Sequence, residues 1–526
     1  MYKVNGNVVK ETEQEIPIYK KVGVVVAGSG SGGLGAAISA ARNGADTLLV
    51  ERHSFLGGMS TASYQVWFGG CPSDIMNGIS REFAQRMDKA GGARYIERGR
   101  FPPAATGISP LTYHMSFDPE TWKNVATDLV DEAGCKLITN TLAVDAIVED
   151  KTVKGIIIEN KSGRQAILAD VVIDATGDAD IAYRAGAPID KLPKSGYLMG
   201  MIMMFRVGGI EYKKIADYAR QHPEDFQQGS GVPPGDFDGT NLASIQGMGG
   251  WFSFVKEARK NGLLPPDFKS AWRAEGFSIA GINPMNIKNG IGYFDLIHEW
   301  KLFPWIAEDK TRAEFDARKR IRTFVNFLKT VPGFENSFLI DIAPSIGLQD
   351  SRRIIGDYVL TRKDIHEGRI FEDDIALVPM AWPDPPFTED SGFMRHPWDG
   401  SEGTDEYVKT FRSLNYFMAI AGVPYRCLIA KDVDHLLAAG QITSMTYMAH
   451  ELGAFRAMVN GMNCGQAAGT AAAIASKHGI SPRKVDIAAL QKTLISQGIV
   501  LDKTAIDMSE VRRMIEARFG KIGHVA

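Results

Sequence analysis

Gly28, Gly30 and Gly33 carry the clearest chemistry in the sequence. They stand in the run KVGVVVAGSGSGGLGAAISAARNGADTLLVER. A GxGxxG spacing with an acid about 20 residues further on, here Glu51, is that of a loop that cradles a pyrophosphate. Gly28 permits the tight turn, Gly30 lets backbone approach phosphate, and Gly33 lets a helix pack closely on a strand. A helix opening at Ser31 and Gly32 offers free N–H groups and partial positive charge to the phosphates. Glu51 is placed to accept hydrogen bonds from ribose hydroxyls. The chemistry is dinucleotide binding, and the motif alone leaves NAD and FAD both open.

The motif works only between a strand and a helix, and the flanking residues supply both. Residues 22–26 are β-rich, an Ala-rich helix follows the glycines, and residues 47–50 form a second strand ending at Glu51. The lead-in before residue 20 is polar and predicts little structure. From Cys135 to Val172 the pieces KLITNTLAVDAIVED, VKGIIIEN and ILADVVIDATGDAD read as strands joined by turns such as Lys161-Ser162-Gly163. From about 190 to 425 the character changes to Pro and Trp clusters (FPW, AWPDPP), isolated helices such as KTRAEFDARKRIRTFVNFLKTV, and Gly-rich turns. Glycine-rich order returns at Asp434–Gly440 and in GMNCGQAAGTAAAIASKHG, a small-residue helix over residues 461–478. The tail from Val485 predicts two amphipathic helices.

The bulk numbers limit the alternatives. A chain of 526 residues exceeds one ordinary core, so two or more domains are expected. Its net charge of -3 gives no electrostatic case for nucleic acid or an anionic membrane. No apolar stretch reaches the length of a membrane span, and the N-terminus has no apolar signal core, which predicts a cytoplasmic location. The four cysteines, Cys71, Cys135, Cys427 and Cys464, form no CxxC, which argues against an iron–sulfur cluster or structural zinc, and no metal is expected.

Further segments accompany the fingerprint: Glu51-Arg52, then Phe55-Leu56-Gly57-Gly58-Met59-Ser60-Thr61; Asp174-Ala175-Thr176-Gly177-Asp178-Ala179-Asp180; Ser351-Arg352-Arg353-Ile354-Ile355-Gly356-Asp357-Tyr358; Val423-Pro424-Tyr425-Arg426-Cys427; and Gly465-Gln466-Ala467-Ala468-Gly469-Thr470. Together, from about residue 20 to about 500, they resemble the FAD-dependent oxidoreductase family of the glutathione-reductase-type flavoprotein superfamily. The resemblance implies an α/β chain with a Rossmann-like FAD-binding domain split in sequence around an inserted α+β substrate-binding domain. It implies FAD-binding parts at 20–190 and 426–480, the substrate domain at 191–425, and C-terminal helices at 481–526. It implies that Leu56–Thr61 lies beside flavin and pyrophosphate, that Thr176, Gly177 and Asp178 turn near the cofactor, and that Val144 offers backbone contacts to adenine. It also implies that the helix beginning near Gly465, with Gln466, Ala467 and Ala468, faces the flavin pyrimidine, where a helix N-terminus stabilises negative charge. Relatives often carry Arg after the glycine matching Gly440, where this chain has Gln441. They often carry another Arg where it has Gln349, and its absence predicts a less anionic substrate.

Flavin chemistry asks the protein for a proton acceptor or donor and for groups that hold the substrate. His450 is the first choice for acid or base, against the alternative of a histidine that only hydrogen-bonds backbone. Arg352 and Arg353 offer planar donors to a substrate oxygen, against ion pairing with Asp350 or Asp357. Tyr425 and Arg426 line the site from the opposite side or form a junction salt bridge. Cys71 and His53 raise the question of covalent flavin, but neither sits in an attachment motif, so non-covalent FAD is expected. The Met-rich stretch LMGMIMMF is a buried strand. His114, His298 and His396 lack ligand spacing and read as loop histidines. The expected activity is hydride transfer between a small organic substrate and flavin N5, with the electron acceptor open and a homo-oligomer expected on general grounds. The alternatives are a non-redox flavin-dependent hydratase or isomerase, an electron-transfer subunit weakened by the missing cysteine cluster, and an NAD-only dehydrogenase. The last leaves the LGG, ATGD and GQAAG segments without purpose.

Overall fold

The computed structural model describes residues 2–5, 7–11, 13, 15–71, 73–93, 113–190, 198–226, 249–266, 268, 276–279, 284–379, 419–451 and 454–509. The lead-in is more ordered than its polarity predicts. Strands β1 (Tyr2–Asn5) and β2 (Val8–Glu11) pair antiparallel, Asn5 opposite Val8. The fingerprint then forms β3 (Ile18–Ala27), a helix over Ser31–Arg42 and β4 (Thr47–Val50). β5 (Trp67–Cys71) and β6 (Tyr113–Ser116) make a short antiparallel pair. The alternating region yields β7 (Lys136–Ile138), β8 (Leu142–Glu149), β9 (Thr152–Asn160) and β10 (Gly163–Asp174). After them come β11 (Ile189–Asp190), β12 (Met201–Gly208), β13 (Gly249–Gly250), β14 (Phe277–Ser278), β15 (Gly292–Glu299), β16 (Phe338–Ile342), β17 (Arg353–Ile354), β18 (Asp374–Pro379), β19 (Ile420–Pro424) and β20 (Leu436–Ala438).

The principal sheet runs β7-β4-β3-β10-β9-β8, with β20 also on β10. β7, β4, β3, β10 and β20 are parallel. β10, β9 and β8 form an antiparallel meander. β10 serves both parts because it is long: its first half pairs with β9, and Val172, Ile173 and Asp174 pair with β20. Both faces are apolar, as a covered parallel sheet requires. Val24, Val26, Val171 and Ile173 belong to one buried cluster, and Val25, Ala27, Ile156 and Val172 to the other.

A helix over Met458–His478 is buried along most of its length and crosses the Ser31–Arg42 helix at backbone contact. A Cβ on Gly465 would overlap the Gly32 carbonyl oxygen, and one on Gly469 would overlap that of Ala36. The hydroxyls of Ser39 and Thr470 are 2.7 Å apart across the same seam. Small residues are therefore needed here for helix packing.

A second, antiparallel sheet has the order β15-β12-β16. The Met-rich stretch is β12, buried as expected. Phe205 of β12 and Phe294 of β15 stack at 5.3 Å and pack on Phe324 of the helix Ala307–Leu328. His298 lies within β15 and is buried, which corrects its reading as a loop histidine. Its neighbours Phe294, Leu296 and Ile297 are apolar enough to drive a strand through the core. Of the two helices expected in the tail, one spans Ile487–Ser496; the other, His396 and the AWPDPP cluster lie outside the described residues. Among the described residues no helix is long and apolar enough to cross a membrane, and no three His, Cys, Asp or Glu side chains gather as a metal site.

Candidate active site

The three glycines play three different physical parts. Gly28 has φ +101°, and a Cβ there would strike the Ala175 carbonyl of the neighbouring strand end. A Cβ on Gly33 would overlap the Gly28 carbonyl oxygen. A Cβ on Gly30 would meet no protein atom within 4 Å, because Gly30 faces an open cavity. The Ser31–Arg42 helix opens onto the same cavity, with no side chain capping its amino end and no acid in its first turn. Its partial positive charge is left for an anion.

Glu51 follows β4 directly, at the cavity wall, and is 3% exposed. Its Oε2 accepts from the Ser29 N–H at 2.9 Å and the Ser29 hydroxyl at 2.5 Å, and its Oε1 from the His53 N–H at 2.8 Å. The carboxylate is thus fixed in place with lone pairs to spare. Ser29 is a part that sequence reasoning missed: it ties Glu51 to the glycine turn and accepts the Gly57 N–H at 3.2 Å. The adjoining wall is Arg52, His53 and Thr141 to Ala143. Val144 stands one residue beyond it, at a register shift between β8 and β9.

The Leu56–Thr61 segment divides in two. Gly58, Met59 and Ser60 line the cavity. Gly58 has φ +54°, and a Cβ on it would lie 2.7 Å from the Gly30 Cα, so the two backbones touch. Gly57 (φ +119°) and Thr61 stay behind the wall, Thr61 donating to the Leu56 carbonyl at 2.7 Å. The following residues are pinned from outside. Ala62 accepts the Ser345 N–H at 2.8 Å, and Tyr64, at φ +55°, reaches Asp341 at 3.2 Å and covers Arg206. Asp341 also pairs with Arg206.

Thr176 and Gly177 line the cavity and Asp178 does not. Asp174 anchors this turn, accepting from the Thr176 N–H and hydroxyl and from the Ala182 N–H; burial pushes its carboxyl up to about 6. Asp178 is buried and accepts from Ser351 at 2.5 Å, and burial raises its pKa. Gly440 and Gln441 line the cavity, and the Gln441 amide donates to the Gly177 carbonyl at 2.8 Å. Gln441 therefore braces the turn where a cation was anticipated.

Several expectations need correction. Gly465, Gln466, Ala467 and Ala468 do not line the cavity: they form the helix crossing described above, and Gln466 accepts the Ile79 N–H at 2.9 Å. The helix begins earlier, at Met458, and Arg456, Ala457, Met458 and Gly461 reach the cavity. None of His450, Arg352, Arg353, Tyr425 or Arg426 lines it either. His450 is fully buried, its Nε2–H donates to the Gln349 carbonyl at 2.9 Å, and burial holds its pKa down to about 4. Arg353 is buried against Asp350 at 2.5 Å and Asp190 at 3.0 Å. Arg352 donates to the Asp178 carbonyl and pairs with Asp180. Tyr425 donates to the Pro482 carbonyl at 3.0 Å, and Arg426 forks onto Asp373 with both contacts at 2.9 Å. Each cation is committed to a carboxylate, Arg353 to the buried Asp350 and Arg352 to the half-exposed Asp180 at the cavity wall.

The far end of the cavity combines Gln65 and Trp67, Ser345 and Ile346, Leu348 and Gln349, with Phe455 and Arg456. No spacing in the sequence links these residues. The whole lining fits FAD: a pyrophosphate cradle without a Cβ, a fixed ribose acceptor at one end, and an uncapped helix start at the other.

The model of FAD-dependent oxidoreductases matches residues 23–494. The chain belongs to that family. It is an enzyme of the FAD-dependent oxidoreductases, and its cofactor is FAD. Among curated relatives, a thiamine thiazole synthase of Methanococcus maripaludis is 27% identical over 172 residues, 30% of this chain and 56% of that protein. A digeranylgeranylglycerophospholipid reductase of Methanosphaera stadtmanae is 30% identical over 130 residues, 25% of this chain and 28% of that protein. The chain thus spans about half the length, or less, of these relatives. Among solved structures, a geranylgeranyl bacteriochlorophyll reductase-like protein of Thermoplasma acidophilum is 12% identical, with a TM-score of 0.42 over 96% of this chain and 98% of that one.

Proposed function

We propose that this oxidoreductase holds FAD non-covalently along the cavity and moves a hydride between the flavin and a small organic substrate. The observation that carries the reading is the continuity of the lining, from Glu51 through Gly30 and Gly58 to the amino end of the Met458–His478 helix. Bound FAD supplies hydride exchange at N5. Glu51 holds the ribose, the Gly28–Gly33 turn holds the pyrophosphate, and the Met458 helix start favours the negative charge of the reduced ring. Trp67, Leu348 and Phe455 exclude water from the reacting end, and Ser345, Gln349 and Arg456 orient a polar group of the substrate there. Non-covalent binding is supported by Cys71, which is buried off the cavity, and by His53, which stands beside Glu51 at the ribose end.

The same reading takes the fold as glutathione-reductase-type, with FAD-binding parts at 20–190 and 426–480, a substrate insertion at 191–425 and C-terminal helices from 481. Two contacts support it: β20 completing the parallel sheet at β10, and the Met458–His478 helix crossing the Ser31–Arg42 helix. The five buried or outward-facing residues singled out from sequence act in this proposal by positioning, His450 through the Gln349 backbone.

The test is an anaerobic bleaching screen on purified yellow protein, using lactate, glucose, benzyl alcohol and cholesterol as representatives of four substrate classes. Bleaching by one class supports hydride transfer. Turnover without bleaching and without an electron acceptor would refute it in favour of a hydratase or isomerase. Acid precipitation should leave the yellow colour in the supernatant.

A further inference from the structure

Gln65 and Gln349 both line the far end of the cavity, and both are half-buried. Among the described residues neither side-chain amide has a hydrogen-bond partner. The two come from segments that run side by side in one direction. The Ser345 N–H donates to the Ala62 carbonyl at 2.8 Å, and a Cβ on Gly347 would lie 3.0 Å from the Ser63 Cβ. Gln65 and Gln349 stand two residues further along each segment, as neighbours on the cavity wall.

The fold fixes the backbone beneath both. Tyr64, just before Gln65, has φ +55°, a left-handed conformation that an aromatic residue keeps only where its surroundings impose it. Asp341 accepts the Tyr64 hydroxyl at 3.2 Å, and the Arg206 guanidinium lies 5.4 Å from the ring centre. With Tyr64 turned out to these partners, Ser63 and Gln65 are left on the cavity. The Gln65 N–H is tied in turn to the Met59 carbonyl at 3.1 Å. On the other segment the buried His450 donates to the Gln349 carbonyl. A strained tyrosine and a buried imidazole thus each hold one glutamine in place, as a preorganised site requires and amides that merely face water do not.

The charges of the lining argue against an ion as the group these amides receive. Its acids are Glu51, which is set to hold the ribose, and Asp180, paired with Arg352, so among the described lining residues no unpaired acid awaits an ammonium. The cation of the far end is Arg456, beside the amino end of the Met458–His478 helix. In the reading above that end faces the negative charge of the reduced ring, and a substrate carboxylate would compete with the ring for it. A carboxamide fits without a charge: its C=O accepts from one glutamine NH₂, and its N–H donates to a glutamine C=O. A site built on such hydrogen bonds rejects a group that leaves them unmade.

We propose that Gln65 and Gln349 set the specificity of this enzyme, and that its substrate is an uncharged carboxamide or lactam on an apolar body that packs against Trp67, Leu348 and Phe455. The proposal rests on the reading that places the flavin ring at this end of the cavity.

The test is calorimetric titration of the FAD-loaded protein at neutral pH with benzamide, benzoate and benzylammonium, one body carrying three charges. Benzamide should bind roughly tenfold or more tightly than either ion. Gln65→Leu and Gln349→Leu should each weaken benzamide about three- to tenfold, the worth of one hydrogen bond, with FAD still bound and urea stability unchanged. Gln65→Glu should turn the preference toward benzylammonium. An ion that binds as well as benzamide, no binding by any of the three, or an unchanged benzamide affinity in either leucine variant overturns the proposal. Flavin absorbance followed in the same titration judges the reading beneath it separately. Benzamide that binds in the expected order yet leaves the flavin band unmoved would refute the placement of the ring at this end, while the glutamine pair stands.

Discussion

Replacing His450 by Gln should remove a pH dependence of stability without emptying the cofactor site. The imidazole has no exposed surface and donates to the Gln349 carbonyl, so the folded state requires the neutral form with its proton on Nε2. Burial is the main cause of a pKa held at about 4; Arg353 and Arg456 push in the same direction, and Asp350, 3.6 Å away, opposes. In the unfolded chain the same group titrates near 6.5. Between those values the unfolded state binds a proton that the folded state does not. The stabilisation is therefore complete above pH 6.5 and is lost as pH falls toward 4, at up to 1.36 kcal/mol per pH unit, about 3 kcal/mol in all. Asp174 runs the other way: its carboxyl is raised to about 6, so acidification through that range favours the folded state. The wild-type profile alone mixes the two. The difference between wild type and His450→Gln isolates the histidine, since a glutamine amide can still donate to Gln349 but does not titrate. Urea unfolding at fixed excess FAD, repeated from pH 7 to pH 4, should show that difference shifting by about 3 kcal/mol against the wild type. A difference that stays flat would refute the reasoning. It would mean that the imidazole reaches water in the folded protein, and it would return His450 to the list of possible bases.

Gly30→Ala should leave urea stability unchanged and weaken FAD binding at least tenfold by flavin-fluorescence titration, because its Cβ meets only the cavity. Gly33→Ala should instead yield little folded protein, since its Cβ overlaps the Gly28 carbonyl. Glu51→Gln should cost roughly 1.5–3 kcal/mol of FAD affinity, the worth of hydrogen bonds to a charged acceptor, with the loss read in the same titration. Arg353→Met should lower unfolding free energy by roughly 3–5 kcal/mol, because Asp350 would be left buried without its cation.

The glycine turn was legible in the sequence because its causes are local: a positive φ, two backbone contacts and one open face, each at a fixed spacing. Glu51 was legible for the same reason, whereas Ser29, which fixes it, looked like any loop serine. Gly465 to Ala468 misled because small residues serve close helix packing as well as close ligand approach, and spacing does not distinguish them. His450 and Arg353 misled because chemistry-bearing side chains in a large core are often spent on one another. The other end of the cavity was invisible: Trp67, Ser345 with Leu348, and Phe455 come from three distant segments, and only the fold brings them together. Val144 stands at a register shift between β8 and β9, and the lining ends one residue before it, at Ala143.

The seam between the Ser31–Arg42 and Met458–His478 helices also sets an order of events in synthesis. Gly32 and Gly465 touch backbone to backbone although more than four hundred residues separate them. The glycine loop leaves the ribosome early, but the opposite wall does not exist until residue 461 has been made. A ligand that binds only the closed cavity stabilises only finished chains, in proportion to its concentration over its dissociation constant. Bound FAD would therefore stabilise only chains in which the late residues have come to rest against the early loop.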